Sequence, residues 1–242
     1  MTGGDGRILG LPRGAALCGN LLLAGAFAAY FCTVYWTGNF IAARAAYRFH
    51  VALPFETLIP FVPLTAAVYL TITPLLWLAP FIFRTPERLL PLFAMLSTEV
   101  TIAGVVFCLF PVELSFPPRE ITGVTGELMV LTRAVALKYN CVPSLHVALA
   151  LTAAWIYQGV GGWHWRVFIC SWAAAITAST LLAHQHHLAD LAAGAALSAF
   201  TVRYVPPRVQ AWLWNRYEGA SRDQPDSGRA RAGKYRRCHL SR

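Results

Sequence analysis

Two histidines and an aspartate are the side chains through which this chain can do chemistry. His146 closes Pro143-Ser144-Leu145-His146, and His186 stands four positions before Asp190 in a stretch that opens at Ser179. Four residues make about one helical turn, so a helix starting near His186 lets the carboxylate reach one ring nitrogen. That contact fixes the tautomer and aims the other nitrogen outward as a nucleophile. Ser144 can cap a helix that begins before His146, and the free amides at such a helix start form an anion site. A phosphate resting there lies between two imidazoles: one attacks phosphorus and the other protonates the leaving oxygen. Arg119 adds a planar donor fork suited to phosphate. These types and spacings suit covalent phosphoryl transfer.

Other readings of the same residues are weaker. Polar groups beside apolar runs are expensive, which argues against His184, His186, His187 and Asp190 as mere decoration of a helix end. Histidine and aspartate are good metal ligands, yet the cluster lacks the paired histidines and positioned glutamate of metalloproteases. No metal or other cofactor is therefore expected. Ser144 has no glycine elbow to make it a nucleophile. Glu99, among Ser97, Thr98 and Thr101, reads as a protonated carboxyl bonding a neighbouring helix, since nothing else ionisable lies at its depth.

The elements that must position these residues are membrane helices. Of 242 residues 57% are apolar and only 13% charged, against about 25% charged in a soluble domain. Apolar stretches run over 15–37, 59–83, 90–110, 146–160, 167–183 and 188–205. A helix needs about 20 apolar residues to cross the hydrocarbon layer, and backbone amides in lipid must be satisfied within their own segment. The expectation is an all-α, polytopic bundle of six transmembrane helices. It comprises a cytoplasmic N-terminus (1–14), a six-span domain (15–205) and a basic cytoplasmic tail (206–242), disordered beyond about Gly219. Pro60, Pro63, Pro74 and Pro80 mark kinks and ends in the second span.

Lys and Arg set the orientation. With both termini cytoplasmic, fifteen basic residues lie inside and five outside (Arg44, Arg48, Arg119, Arg133, Lys138). Both polar clusters then face away from the cytoplasm, one in the 111–145 loop and one in the short 184–187 connection. An inner cell membrane is the expected location. Arg7, Arg13 and Ala26-Phe27-Ala28 resemble a cleavable signal, but the apolar run continues through Trp36, which favours retention of residues 1–28 as part of a first span. The net charge of +9 comes mostly from the tail, which suits anionic lipid headgroups better than nucleic acid. Six cysteines show no metal-like spacing. A bridge between Cys108 and Cys141 is conceivable, with no disulfide framework implied. Nothing in the sequence speaks to oligomeric state.

Pro143-Ser144-Leu145-His146 resembles the second signature of the type 2 phosphatidic acid phosphatase superfamily. Ser179, His186 and Asp190 resemble its third, in which Ser-Arg is followed after five residues by His and after three more by Asp. The resemblance covers about 15–205. It implies a six-helix membrane fold with a site facing away from the cytoplasm. It further implies His186 as a nucleophile forming phosphohistidine, Asp190 as its orienting partner, and His146 as acid and then base. Ser144, Ser179 and Arg119 would hold the phosphate. The chain departs from the pattern at Thr180, where the family has arginine, and in the first signature, where Val112 and Glu120 leave only Arg119. Ile59-Pro60-Phe61-Val62-Pro63, Phe110-Pro111 and Phe116-Pro117-Pro118-Arg119 are similar to the inositol phosphorylceramide synthase-like branch, which moves phosphorylated head groups between lipids.

The expected activity is metal-independent hydrolysis of a membrane lipid phosphate or diphosphate through a phosphohistidine. The alternative is transfer of a phospho-head group to a lipid or sugar hydroxyl. A third is a non-catalytic protein or transporter on this scaffold, motivated by Val112 and Thr180.

Overall fold

A computed structural model describes residues 12–117, 119, 121–159 and 161–222. It is 74% helix without a strand among the described residues, as an apolar surrounding requires of backbone amides. Four helices are long and apolar enough to cross a membrane: α1 (Ala15–Ala43), α5 (Pro86–Leu109), α8 (Trp163–Leu182) and the Leu188–Pro206 part of α9 (Leu188–Arg222). This makes the chain an integral membrane protein.

The other two expected spans are short. The 59–83 stretch is broken into a 3-10 turn (Pro63–Thr65), α2 (Ala66–Leu70), α3 (Ile72–Trp77) and α4 (Ala79–Ile82). Pro63 opens the turn, Pro74 lies inside α3 and Pro80 in the first turn of α4. Each lacks an amide hydrogen, so no continuous ladder can run through them. α7 (Leu145–Tyr157) has 13 residues, or about 20 Å at 1.5 Å per residue, against a hydrocarbon layer of about 30 Å.

Contacts define two ends of the bundle. At one, Val62 N–H donates to Leu182 O (2.8 Å), Asn140 Nδ2 to Tyr35 O (2.7 Å) and Ser144 N–H to Asp190 O (3.0 Å). At the other, Asn20 Nδ2 donates to Phe83 O (2.7 Å) and Trp165 Nε1 to Tyr157 O (2.8 Å). The chain passes between these ends six times. Both polar signatures fall at the first end.

Packing follows membrane rules. With no hydrophobic drive between helices in lipid, close approach and polar contacts hold them together. α1 lies along α5, where Phe27 stacks on Phe93 (5.3 Å between centroids). A Cβ on Gly104 would sit 2.3 Å from Val34 Cγ1. The outward face of α1 stays uncovered, with Leu22 and Trp36 each 69% exposed. Glu99 is buried and bonds neighbouring helices: its Oε1 accepts from Thr152 (2.5 Å, α7) and Thr201 (2.7 Å, α9).

Several expectations change in detail. The 111–145 loop contains α6 (Gly123–Ala136), which buries Gly126, Met129 and Thr132 and exposes Val124, Val130, Leu131 and Val135. Helical backbone continues to Arg222; residues 207–242 form a separate unit, and the disorder expected beyond Gly219 falls mainly on 223–242, outside the described residues. Residues 1–11, most of the expected cytoplasmic N-terminus, also lie outside them. Cys108 and Cys141 are both free.

Candidate active site at one end of the bundle

The turn 183–187, between α8 and α9, carries the dyad. Asp190 lies in the first turn of α9, and its Oδ2 is 3.2 Å from His186 Nδ1. A carboxylate only accepts, so Nδ1 carries the hydrogen and the Nε2 lone pair is left free. The backbone N–H of His187 donates to the same Oδ2 (2.9 Å), which fixes the carboxylate as well. Both side chains are buried.

His146 arrives from α7. Ser144 caps that helix, its Oγ accepting from Val147 N–H (3.4 Å), while its own N–H bonds Asp190 O. The approach requires Gly194 on α9: a Cβ there would lie 2.5 Å from Ser144 O and 3.1 Å from Val147 Cβ. With α7 and α9 locked in this way, the His146 and His186 rings stand 6.1 Å apart between centroids. His146 also stacks on Tyr69 of α2 at 3.9 Å. One phosphoryl group can touch both imidazoles at this separation.

No protein-family model, curated protein or solved structure matches this chain.

A second histidine–carboxylate pair lies beside the first. Glu56, in the 3-10 turn Pro54–Leu58, is buried and accepts from His187 Nδ1 and from Leu188 N–H (3.0 Å). Ser115 N–H donates to His187 Nε2 (3.1 Å), so both ring nitrogens of His187 are engaged. Phe116 stacks on His184 (4.0 Å) and His187 (4.6 Å), and His184 Nε2 donates to Ile59 O (3.1 Å). The segments 54–61 and 113–116 are thus fastened to the turn that presents His186. Burial lowers the pKa of His184, with Arg119 nearby acting in the same direction and the Ile59 bond opposing.

One cavity reaches His146, and a second lies beside the 183–185 turn. An apolar one of about 260 Å³ runs between α1, α3, α5 and α7, lined by Phe31, Ile72, Leu76, Trp77, Phe93 and His146. A more polar one of about 500 Å³ mixes Arg119, Arg133, Lys138 and His184 with apolar Phe61 and Phe116. The Arg119 guanidinium stands over Phe61 at 5.1 Å. Lys138 pairs with Glu113 (2.9 Å), a bond that lowers the Glu113 pKa and raises that of Lys138. Burial pushes the Cys141 thiol up to about 12.

Other positions singled out in the sequence have local partners. Ser179 Oγ donates to Ile176 O (2.6 Å) and Thr180 Oγ1 to Thr177 O (2.7 Å), both inside α8. Val112 is buried in a bridge with Phe49. Among the described residues, no three His, Cys, Asp or Glu side chains are grouped as a metal site would need. Sequence reasoning missed Glu56 and Tyr69, and singled out Phe116 only as part of the Phe116-Pro117-Pro118-Arg119 motif. Glu56 had a signal, as the lone acid of the apolar stretch from Phe49 to Phe83. Tyr69 had none.

Proposed function

We propose that this chain is a membrane enzyme that cleaves the phosphoryl bond of a lipid-linked phosphate or diphosphate through a phosphohistidine on His186. The His186–Asp190 dyad with the His146 ring tilted against it 6.1 Å away carries this reading, and it agrees with the resemblance to the type 2 phosphatidic acid phosphatase superfamily. The Nε2 lone pair of His186 attacks phosphorus and the bond to the leaving oxygen breaks. His146 delivers a proton to that oxygen. The now neutral His146 takes a proton from water, whose oxygen attacks phosphorus; the N–P bond breaks and free phosphate leaves. Asp190 holds the tautomer and stabilises the charge that develops on the ring.

The two cavities support an amphiphilic substrate. The apolar one, walled by membrane-crossing α1 and α5, takes hydrocarbon. The second holds Arg119 and Arg133 where Thr180 and Val112 supply no charge, so these two balance the phosphate, while Lys138 is paired with Glu113 and Ser144 and Ser179 serve as framework. The six passes become six crossings, with both termini cytoplasmic and the site on the far face of an inner membrane. The polar cavity has more room than one phosphate occupies. That room favours transfer to a second lipid or sugar hydroxyl as the alternative fate of the phosphohistidine.

Purified protein incubated with labelled lipid phosphates separates the outcomes. Free labelled phosphate indicates hydrolysis, label on a second lipid indicates transfer, and label on neither overturns the proposal. His186→Ala and His146→Ala should each lower turnover by at least about a thousandfold with unchanged folding in detergent. Wild-type rates in either variant remove the mechanism.

A further inference from the structure

The ring of Tyr69 is wholly buried, yet its hydroxyl finds no hydrogen-bond partner among the described residues. An orphaned buried donor is rare in native structures, and its desolvation goes uncompensated. Other buried tyrosines here behave normally: Tyr157 donates to Leu75 O (3.2 Å) and Tyr35 to Ala136 O. Tyr69 differs in where it stands, stacked 3.9 Å from the His146 ring, which in turn faces His186. Of the buried side-chain atoms left without a partner, Tyr69 Oη and Asp190 Oδ1 belong to residues in contact with the imidazole pair, and Tyr69 is the donor of the two.

We infer that Tyr69 is a catalytic residue whose hydroxyl donates a hydrogen bond to a phosphoryl oxygen of the substrate held between His146 and His186. The inference rests on the phosphohistidine reading above and adds a contact that neither sequence signature contains. A neutral donor suits the position, because it brings no charge into a buried site and its bond strengthens as charge builds on the phosphoryl oxygens. It also offsets part of what the packed-away Val112 and Thr180 do not provide.

Orthovanadate, a phosphate-shaped anion that histidine can coordinate, reads the site without regard to which lipid is used or where the phosphate goes. Its affinity is measured by thermal shift in detergent for wild type, Tyr69→Phe and Tyr157→Phe, alongside turnover. Tyr69→Phe keeps the stacked ring and deletes only the orphaned group. Its unliganded midpoint should be unchanged or raised, while vanadate affinity and turnover fall roughly ten- to a hundredfold, the scale of one hydrogen bond to a charged acceptor. Tyr157→Phe should do the opposite, lowering the midpoint and leaving vanadate affinity alone. Tyr69→Phe with wild-type affinity and turnover overturns the inference, as does a lowered midpoint with unchanged affinity, which marks the hydroxyl as structural. If wild type itself neither binds vanadate nor turns over lipid phosphates, the phosphohistidine reading falls and takes Tyr69 with it.

Discussion

Adjacent histidines at 186 and 187 show how environment assigns different work to one residue type. Each has a carboxylate at Nδ1, Asp190 for the first and Glu56 for the second. The difference lies at the far nitrogen, which Ser115 N–H occupies at 187 and no described residue occupies at 186. His187 is therefore a positioning residue. Glutamine keeps a donor and an acceptor on one planar group, so His187→Gln should hold most of the wild-type stability. His187→Phe keeps the stack on Phe116 but leaves Glu56 Oε2 and Ser115 N–H unpaired, at a cost of about 1–3 kcal/mol for each orphaned group. Thermal unfolding in detergent compares them, and equal midpoints would show that packing alone holds the turn. The sequence made the His186–Asp190 contact legible because four residues is a helical repeat. The Glu56–His187 contact joins positions 131 apart, and no local spacing encodes a pairing at that range.

At the level of elements, the approach of α7 to α9 decides whether there is a site. Gly194 permits it, and its Cβ clash is with backbone oxygen, which cannot rotate away. Gly194→Ala should part the helices, separate His146 from His186 and lower turnover at least about tenfold, since a misplacement near 1 Å can cost a hundredfold. Gly25→Ala in α1 meets nothing within 4 Å and should be neutral or stabilising by up to about 1 kcal/mol. Parallel assays and melting curves of the two variants test this; equal behaviour would deny Gly194 its role. Hydropathy located α1, α5, α8 and α9 well because their length and composition coincide. It could not foresee α7 at 13 residues or the division of 59–83, since proline and tertiary contacts set those limits. α6 escaped notice because its apolar face is too short to register as a span and lies inside a loop otherwise read as polar.

For the described residues as a whole, the six passes place 44–62, 110–117, 121–144 and 183–187 at one end, and 83–85, 158–159 and 161–162 at the other. In the proposed topology, which follows the charge bias, the first end lies outside. In intact cells a membrane-impermeant maleimide should label Leu58→Cys, at a position 82% exposed, and should reach His164→Cys only after the membrane is broken. The reverse pattern would invert the orientation and turn the site toward the cytoplasm.

The placement of the two cavities has a consequence for what happens after bond cleavage in the proposed reaction. His146, the proton donor, borders the one walled by hydrocarbon-loving side chains, whereas residues 183–185 border the one rich in cations. The released alcohol is thus born on the oily side and the phosphate on the wet side. Solubility then sorts the products along opposite exits, and neither has to pass the other on the way out.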